Sequence, residues 1–310
     1  MVSPSDRKTA AKVLIGDWGY SQNKGCSLAG ISRTGFRYMP RVREDDSQLR
    51  ERIKELAVKH NKYGYRMIAA LLEREGRKVN HKRVHRIWKE EGLQLPRRRP
   101  KRKRRGQTAQ IVNKAQHKNH VWSYDFVHDS TERGQTLRIL VIVDEYTREC
   151  LELRVDRSIK SNKVIDSLSW LFLLRGAPQY IRSDNGPEFI ARSLCRWLQE
   201  RECSTIFINP GSPWENPYVE SFNSRLRAEC LSRELFRNVK EAQQIVENWR
   251  REYNEFRPHS SLKYETPAEF SLHCPSSGRP PVSLHKGSDS TQYLIAEDNN
   301  IARKEPAPTF

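Results

Sequence analysis

The chain has 310 residues, enough for two domains, and a formal net charge of +18. Its most apolar stretch, residues 168–174, is interrupted by Ser169 and is far too short to span a bilayer. Residues 1–12 carry charges but no apolar core, so a secretory signal is not expected. These features argue against a membrane role and favour a cytoplasmic protein.

The positive charge is concentrated at the front of the chain. Residues 1–119 contain 31 Lys and Arg against 11 Asp and Glu, a net of +20. Residues 120–310 contain 25 against 27, a net of −2. A basic half joined to a neutral half is typical of a nucleic-acid-binding region attached to a domain with another task.

Neither disulfides nor zinc are expected. The six cysteines form no C-x-x-C pair and no regular framework, which favours reduced thiols in the cytosol. His81 and His85 have the spacing of some zinc ligands, but no closely spaced cysteine pair follows them.

The first segment, residues 1–45, is predicted to form three short helices of helix-turn-helix type. Ser3 precedes Pro4 and can cap the first helix, Ser21 the second and Ser32 the third. Arg33 and Arg37 then share one face of the last helix and are candidate DNA contacts. Gly35 weakens that helix, and an inert three-helix bundle is the alternative.

Residues 46–95 are predicted to form a second helical, DNA-binding region. Three apolar stripes at helical spacing indicate three helices, and Asn80 can cap the third. Lys82, Arg86 and Lys89 fall on the polar face of that helix, spaced to follow a phosphate backbone. A solvated charged face is the alternative.

A basic linker, residues 96–118, follows. Residues 96–106 read PRRRPKRKRRG, with eight basic residues in eleven. Self-repulsion and two prolines rule out a packed core, so this stretch is predicted to be an arm that neutralises phosphates.

Residues 119–272 show the strand and helix pattern of an α/β domain. Strands are predicted at 120–127, 137–143, 150–155, 179–183 and 204–208, the first three as an antiparallel meander. Helices are predicted at 161–175, 188–202, 217–231 and 249–270, the last of them ending at Arg257-Pro258-His259. The pattern describes a mixed five-stranded sheet flanked by helices. The tail, residues 273–310, is polar and is predicted to be disordered.

Three acids occupy notable places in this domain. Asp125 lies inside a strand among aromatic residues, where an ionised carboxylate is costly unless paired or metal-bound. Asp184 closes the fourth strand, and Glu220 lies in a helix after 35 intervening residues. Asp184 as a turn or helix cap and Glu220 as a solvated residue are the simpler alternatives. Together, three carboxylates indicate a site for a hard cation, Mg²⁺ or Mn²⁺.

Four segments resemble one family, the insertion-sequence transposases encoded by the second of two overlapping reading frames. The segments are WSYDFV, SDNGPEF, NPYVESFNSRLRAECL and YNEFRPHSSLKYETPAEF. Residues 63–93, YGYRMIAALLEREGRKVNHKRVHRIWKEEGL, are similar to the helical DNA-binding region of these proteins. The resemblance spans residues 3–270 and implies a ribonuclease H-like fold with a DDE core like that of retroviral integrases.

The resemblance implies that Asp125, Asp184 and Glu220 bind Mg²⁺ or Mn²⁺, as two ions, and that the enzyme cuts DNA and joins it to a target. Asn223, Ser224 and Arg227 follow Glu220 on the same helix face and are expected to lie along the DNA. A homo-oligomer on DNA and the first-frame product are the expected partners. A catalytically silent DNA-binding regulator and a nuclease of the same fold are the alternatives.

Two residues depart from the family pattern. Lys263 stands where these proteins usually have glycine, and Gly35 lies in the predicted recognition helix. The acids Asp129, Asp144, Glu145, Glu188 and Glu215 lie near the motifs but are not expected to be ligands, and a turn or a pair with Arg148 is the simpler role for Asp144 and Glu145.

Overall fold

The computed structural model describes residues 3–39, 46–96, 114–209 and 215–274. The chain divides into two compact units, Met1–Pro100 and Lys101–Phe310. The basic run at 97–105, most of the predicted linker and the tail from residue 275 lie outside the described residues. None of the described helices is long and apolar enough to cross a membrane.

The first three helices begin where their capping serines predict. They are α1 (Pro4–Gly16), α2 (Gln22–Leu28) and α3 (Arg33–Arg37). Ser3, Ser21 and Ser32 each accept a backbone N–H of the first turn. A Cβ at Gly35 would lie 3.1 Å from Ser32 Oγ and 3.2 Å from Ile31 Cγ1, so a larger residue at position 35 would crowd the capping side chain of Ser32.

The second helical region is a three-helix core of α4 (Asp46–Lys59), α5 (Tyr65–Arg74) and α6 (His81–Glu90). The predicted apolar stripes meet in one buried cluster, and Asn80 caps α6 through Lys82 N–H as expected. Asp46, at the start of α4, is buried and accepts hydrogen bonds from Arg83 Nε and Arg86 Nη2 of α6, both at 2.8 Å. This pairing ties the first helix of the region to the third.

The second unit contains the predicted five-stranded sheet. Its strands are β1 (Val121–Ser130), β2 (Thr136–Asp144), β3 (Cys150–Asp156), β4 (Tyr180–Ser183) and β5 (Ser204–Phe207). The order is β3-β2-β1-β4-β5. The antiparallel meander of β1 to β3 is confirmed, and β4 and β5 run parallel to β1, so the sheet is mixed.

Helices cover both faces of the sheet. One face packs against α7 (Ser161–Arg175) and α8 (Arg192–Gln199), and the other against α9 (Pro217–Leu226) and α10 (Val239–Glu255). A π-helix (Arg227–Leu231) continues α9. A 3-10 turn (Ser260–Leu262) and α11 (Pro267–His273) follow α10. This is the ribonuclease H-like architecture that the resemblance implies.

Two predicted helices were wrong in extent. The helix predicted at 188–202 begins only at Arg192, because residues 184–190 form turns around Gly186. The last predicted helix begins at Val239 instead of Trp249. It ends at Glu255, close to the predicted end at Arg257-Pro258-His259, and Thr266 caps a separate helix that begins at Pro267. Between them Lys263 adopts φ +54°, a left-handed conformation that glycine takes without strain.

We predict that Asp46→Asn lowers the free energy of unfolding of the front unit by about 1–3 kcal/mol, because the neutral amide keeps only one acceptor oxygen for Arg83 and Arg86 and faces one of them with an N–H donor. Thermal or urea unfolding at pH 7 measures the effect. The arginine bonds, Arg86 first, lower the pKa of Asp46 from 3.8. Its contribution is therefore present at neutral pH and is lost as the pH falls below 3.8.

Glu51→Gln is the matched control, since it removes the same charge from α4 at a side chain that is 70% exposed. An Asp46→Asn protein no less stable than this control would contradict a structural role for Asp46.

Candidate active site

The alternation of β1 decides where Asp125 points. Trp122 and Tyr124 belong to the apolar cluster on the α7–α8 side of the sheet. Val127 belongs to the cluster on the α9–α10 side. Because side chains alternate between faces along a strand, Asp125 faces the same side as Val127, where α9 lies. A one-residue shift in register would have put this carboxylate on the other face.

Two hydrogen bonds orient the Asp125 carboxylate. Phe126 N–H donates to its Oδ1 at 2.7 Å, and Asn223 Nδ2 of α9 donates to its Oδ2 at 2.8 Å. Burial raises the pKa of Asp125 to about 6, and the charges of Asp184 and Glu220 raise it further against the effect of these bonds. The three predicted acids, remote in sequence, are therefore electrostatic neighbours.

Asp184 directly follows β4, at the edge of the sheet where β1 and β4 run parallel. Its Oδ1 accepts Gly186 N–H at 3.0 Å. A Cβ at Gly186 would lie 3.1 Å from that same oxygen, so the glycine lets the backbone approach the carboxylate closely. Asp184 therefore forms a turn, as one of the two simpler alternatives had it. The other alternative, that Asp184 caps a helix beginning at Pro187, is wrong because no helix begins there.

Glu220 lies in the first turn of α9 and is exposed. Val219, Phe222 and Leu226 form the buried face of this helix. Asn223 is partly buried against Asp125, whereas Ser224 and Arg227 are exposed on the Glu220 side. Arg227 has α-helical backbone angles, so the π-helix that begins there does not move it from this face.

All five acids set aside as ligands have other contacts. Asp144 accepts the N–H groups of Asn119, Tyr146 and Thr147, which confirms its turn role. The remaining contacts are Asp129 with Ser130 N–H, Glu188 with Arg138, and Glu215 with Asn209.

Glu145 forms a buried ion pair that the sequence reasoning missed, since a turn or Arg148 was expected to hold it. Arg182 Nε donates to Glu145 Oε1 at 2.7 Å, and both side chains are at most 1% exposed. Ser123 Oγ donates to the same oxygen. Ser123 and Arg182 are register partners, and each lies two residues before a predicted acid, Asp125 or Asp184. The pair therefore lies on the same face of the sheet, next to both acids.

The predicted DNA contacts of the front half differ in availability. Lys82 and Lys89 are exposed on α6 and form no ion pair within the described residues. Arg86 is half exposed but pairs with Asp46 and Glu90. On α3, Arg33 is exposed, whereas Arg37 donates to Gln22 Oε1. DNA contact by these five side chains stays a prediction.

The described residues contain no group of three His, Cys, Asp or Glu side chains already arranged to hold a metal ion. His81 and His85 are exposed, and the His85 ring contacts Tyr65 with 4.4 Å between centroids.

Comparisons with known proteins cover both units. Integrase core domain families match residues 115–213 and 201–267, and an HTH-like domain family matches residues 44–101. A 39.2 kDa protein of insertion element IS476 from Xanthomonas euvesicatoria is 35% identical over 87% of this chain and 78% of its own length. A 31.7 kDa protein of insertion element IS407 from Burkholderia multivorans is 38% identical over 81% and 90%.

The chain belongs to the insertion-sequence transposases with an integrase core. A putative transposase for IS150 of Escherichia coli is 27% identical over 78% of this chain and 90% of its own length. Among solved structures, an integrase chain of the simian T-cell lymphotropic virus intasome aligns at 16% identity with a TM-score of 0.45, over 78% of this chain and 80% of that one.

The family assigns the reaction as DNA transposition by a polynucleotidyl transferase. The HTH-like match falls on α4 to α6, the region predicted only as a helical DNA-binding region, whereas the helix-turn-helix was predicted in residues 1–45. The match begins beyond α1 to α3, so the helix-turn-helix interpretation of residues 1–45 stays a prediction.

We predict that Asp125→Asn raises the unfolding temperature in EDTA at pH 7.5, because it removes a buried charge next to two like charges. The Asn223 amide can turn over and accept from the amide that replaces the carboxylate, since its Oδ1 has no hydrogen-bond partner within the described residues. Because the pKa of Asp125 is higher in the folded protein than in the unfolded chain, the ionised carboxylate destabilises the folded state, with the full effect above pH 6. The difference from the native protein should therefore shrink between pH 6 and 3.8.

Asp129→Asn serves as the control, because it removes the same charge from the same strand near its end. If both variants unfolded at the same temperature at pH 7.5, the three acids would not be an interacting group.

Proposed function

We propose that this transposase cuts and joins DNA at the ends of its insertion element by metal-dependent hydrolysis and strand transfer, with Asp125, Asp184 and Glu220 holding Mg²⁺ or Mn²⁺. The observation that carries the proposal is the placement of the acids: Asn223, one turn beyond Glu220 on α9, donates to the Asp125 carboxylate, and Asp184 directly follows β4, the parallel neighbour of β1. The raised pKa of Asp125, caused by burial and by the charges of the two other acids, agrees with this placement. A cluster of three carboxylates is unfavourable without a cation, and carboxylate oxygens suit Mg²⁺ or Mn²⁺.

The donor set fits a divalent ion. All three groups are carboxylates, and Asp125 is already oriented by Asn223. Glu220 is exposed, so its side chain has room to change rotamer towards the other two. Two ions at such a site supply charge neutralisation for the attacking and leaving oxygens of an in-line displacement.

The chain's own residues supply positioning. Asn223 and Phe126 N–H fix the Asp125 carboxylate, and Gly186 N–H fixes that of Asp184. Ser224 and Arg227, exposed beside Glu220, are placed to hold the phosphates that flank the cleaved bond. Reacting groups held in this way avoid much of the entropic cost of the reaction.

The two chemical steps balance without ATP. Water attacks the phosphorus at the element boundary, and the bond from phosphorus to the 3′-oxygen breaks, which frees a 3′-hydroxyl. That hydroxyl then attacks a phosphorus of the target DNA and expels the target's own 3′-oxygen. Each new phosphodiester bond replaces one that breaks, so no covalent enzyme intermediate is required.

We also propose that the transposase works as a homo-oligomer on DNA, with the first-frame product as a further partner. An exposed apolar strip on α7 supports self-association: Trp170, Leu173 and Leu174 are 58%, 61% and 61% exposed. Contiguous exposed apolar surface of this kind is typical of interaction sites.

We predict that Asp184→Asn and Glu220→Gln abolish Mg²⁺-dependent nicking of a supercoiled plasmid that carries the element's terminal repeats. Loss of several kcal/mol of charge stabilisation corresponds to a slowing of at least about 100-fold. Filter binding of the same DNA should change little. EDTA should stop the native enzyme, and Asp129→Asn should cleave normally.

The outcomes separate the rival functions. Metal-independent DNA binding without cleavage by the native protein would identify a silent regulator. Cleavage without any joined product would identify a nuclease of the same fold. Full activity of a folded Asp184→Asn protein would contradict the assignment of the acids.

We predict separately that α6 supplies affinity rather than chemistry. Replacing Lys82 and Lys89 together by Gln should weaken DNA binding. It should also reduce the salt slope, the dependence of the logarithm of the binding constant on the logarithm of the salt concentration, by about 1 for each phosphate that α6 no longer neutralises. Single-turnover cleavage at saturating protein should be unaffected. The matched control replaces Lys62 and Lys78, which are exposed in the same region but outside α6. Equal effects in the two double variants would show that α6 is not the contact surface.

A further inference from the structure

A cluster of arginines lies beside α9, away from the three acids. Tyr218 and Arg225 of α9 are seven residues apart and so share one face of the helix. At 100° per residue, that face is rotated by about 140–160° from Glu220. Arg148, from the turn between β2 and β3, stacks on the Tyr218 ring at 3.8 Å. Arg257, after α10, completes the cluster with buried His259.

The charge of Arg257 is neutralised by an ion pair with Glu229. Its Nε and Nη2 donate to both oxygens of Glu229 at 2.8 and 2.6 Å. His259 carries no charge at neutral pH, because burial and the nearby Arg257, Arg225 and Arg148 lower its pKa to about 3. Its Nε2 instead contacts the Tyr253 carbonyl oxygen at 3.3 Å. One carboxylate, Glu229, thus serves a cluster of three guanidinium groups.

Arg148 and Arg225 have no carboxylate partner within the described residues. Arg225 Nη1 donates only to neutral acceptors, Ser221 O and Oγ, at 2.9 and 2.6 Å. Arg148 Nη1 is buried and has no hydrogen-bond partner in the described part of the chain. Burial lowers the pKa of Arg225, and neighbouring Arg257 and Arg148 act in the same direction. Two partly buried positive charges therefore lie close together with no carboxylate of the described residues bonded to either. Glu229, whose charge acts against the lowering of the Arg225 pKa, is already bonded to Arg257, and an anion would stabilise this arrangement.

The placement of Arg148 is preset by its turn. Its backbone adopts φ +63°, which is uncommon for a residue with a side chain and costs of the order of 1 kcal/mol. Arg148 N–H donates to the Asp144 carbonyl oxygen at 2.9 Å, and the Asp144 carboxylate holds the same turn. The Tyr218 ring then fixes the plane of the guanidinium. A rigid, planar donor of this kind suits the geometry of a phosphate.

We infer that Arg148 and Arg225 together bind a backbone phosphodiester of DNA that is distinct from the phosphate cleaved beside Glu220. The inference rests on the proposed function, since it places a second DNA contact on the other exposed side of the catalytic helix. The phosphodiester belongs either to the element end, beyond the cleavage point, or to the target DNA. Both sources present the same chemistry to the two arginines.

The test uses the full-length protein with Arg148→Gln, Arg225→Gln and the double variant. Dissociation constants are measured against salt concentration with a duplex carrying the element end, and with an unrelated target duplex offered to the protein already bound to element ends. Each single variant should bind one of these duplexes on the order of tenfold more weakly. For that variant and duplex, the salt slope should fall in magnitude by about 0.9, the value that corresponds to one phosphate contact. The double variant should lose no more slope than either single variant, because both arginines hold the same group.

Two further variants separate charge, geometry and folding. Arg148→Lys keeps the charge and should keep the salt slope while binding more weakly, because it lacks the planar donor pair. Arg251→Gln, which removes an exposed arginine paired with Glu247 on α10, is the matched control and should behave as the native protein. A duplex with a single neutral methylphosphonate at the contacted position should bind the native protein more weakly but leave binding by Arg148→Gln unchanged.

A change confined to the element-end duplex assigns the phosphate to the element, and a change confined to target capture assigns it to the target. Unchanged salt slopes on both duplexes, whether or not the variants lose thermal stability, would overturn the inference and leave the cluster a structural one. That result would leave the proposed function intact, because Mg²⁺-dependent nicking and its loss in Asp184→Asn are measured independently. Conversely, absence of nicking by the native protein would refute the proposed function while the slopes still report the phosphate contact.

Discussion

The alternation of side chains along the central strand β1 is the constraint on which the rest of the catalytic unit depends. Odd-numbered positions such as Ser123, Asp125 and Val127 face α9 and α10, whereas Trp122 and Tyr124 anchor the α7–α8 layer. Both layers are apolar, so β1 is fixed in register by burial on two sides. A carboxylate in the middle of such a strand is costly, and Asp125 lies where α9 brings Asn223 and Glu220.

A buried ion pair lies on the same face of the sheet as the acids of the proposed site, and its members are not among the proposed metal ligands. Glu145 and Arg182 neutralise each other at the base of the site, and Ser123 joins them. Each strand thus carries a structural residue two positions before its acid, on the same face. Replacing one member of a buried ion pair leaves the other charge buried and uncompensated, so substitution of either Glu145 or Arg182 alone destabilises the protein.

Local signals were enough to predict most of the fold. Ser3 and Asn80 mark helix starts because capping is a contact between neighbours in sequence, and α7 has the bounds that its apolar pattern predicts. What the sequence could not show is tertiary. The Glu145–Arg182 pair, for example, joins residues 37 positions apart. The order of the acids could be predicted because the family motifs carry it, whereas their separations depend on how α9 packs.

Net charge is a poor guide to individual contacts. On α6, Arg86 counts as basic in the sequence, yet Asp46 already compensates it. In the catalytic unit the balance of −2 conceals the opposite situation, because Glu145, Glu149 and Glu229 are each paired with an arginine, while Arg148 and Arg225 are not matched by a carboxylate within the described residues. Attraction to a phosphate depends on charge that the fold leaves uncompensated, not on the number of basic residues. The surface that a DNA strand meets is therefore decided by which arginines the fold has already used.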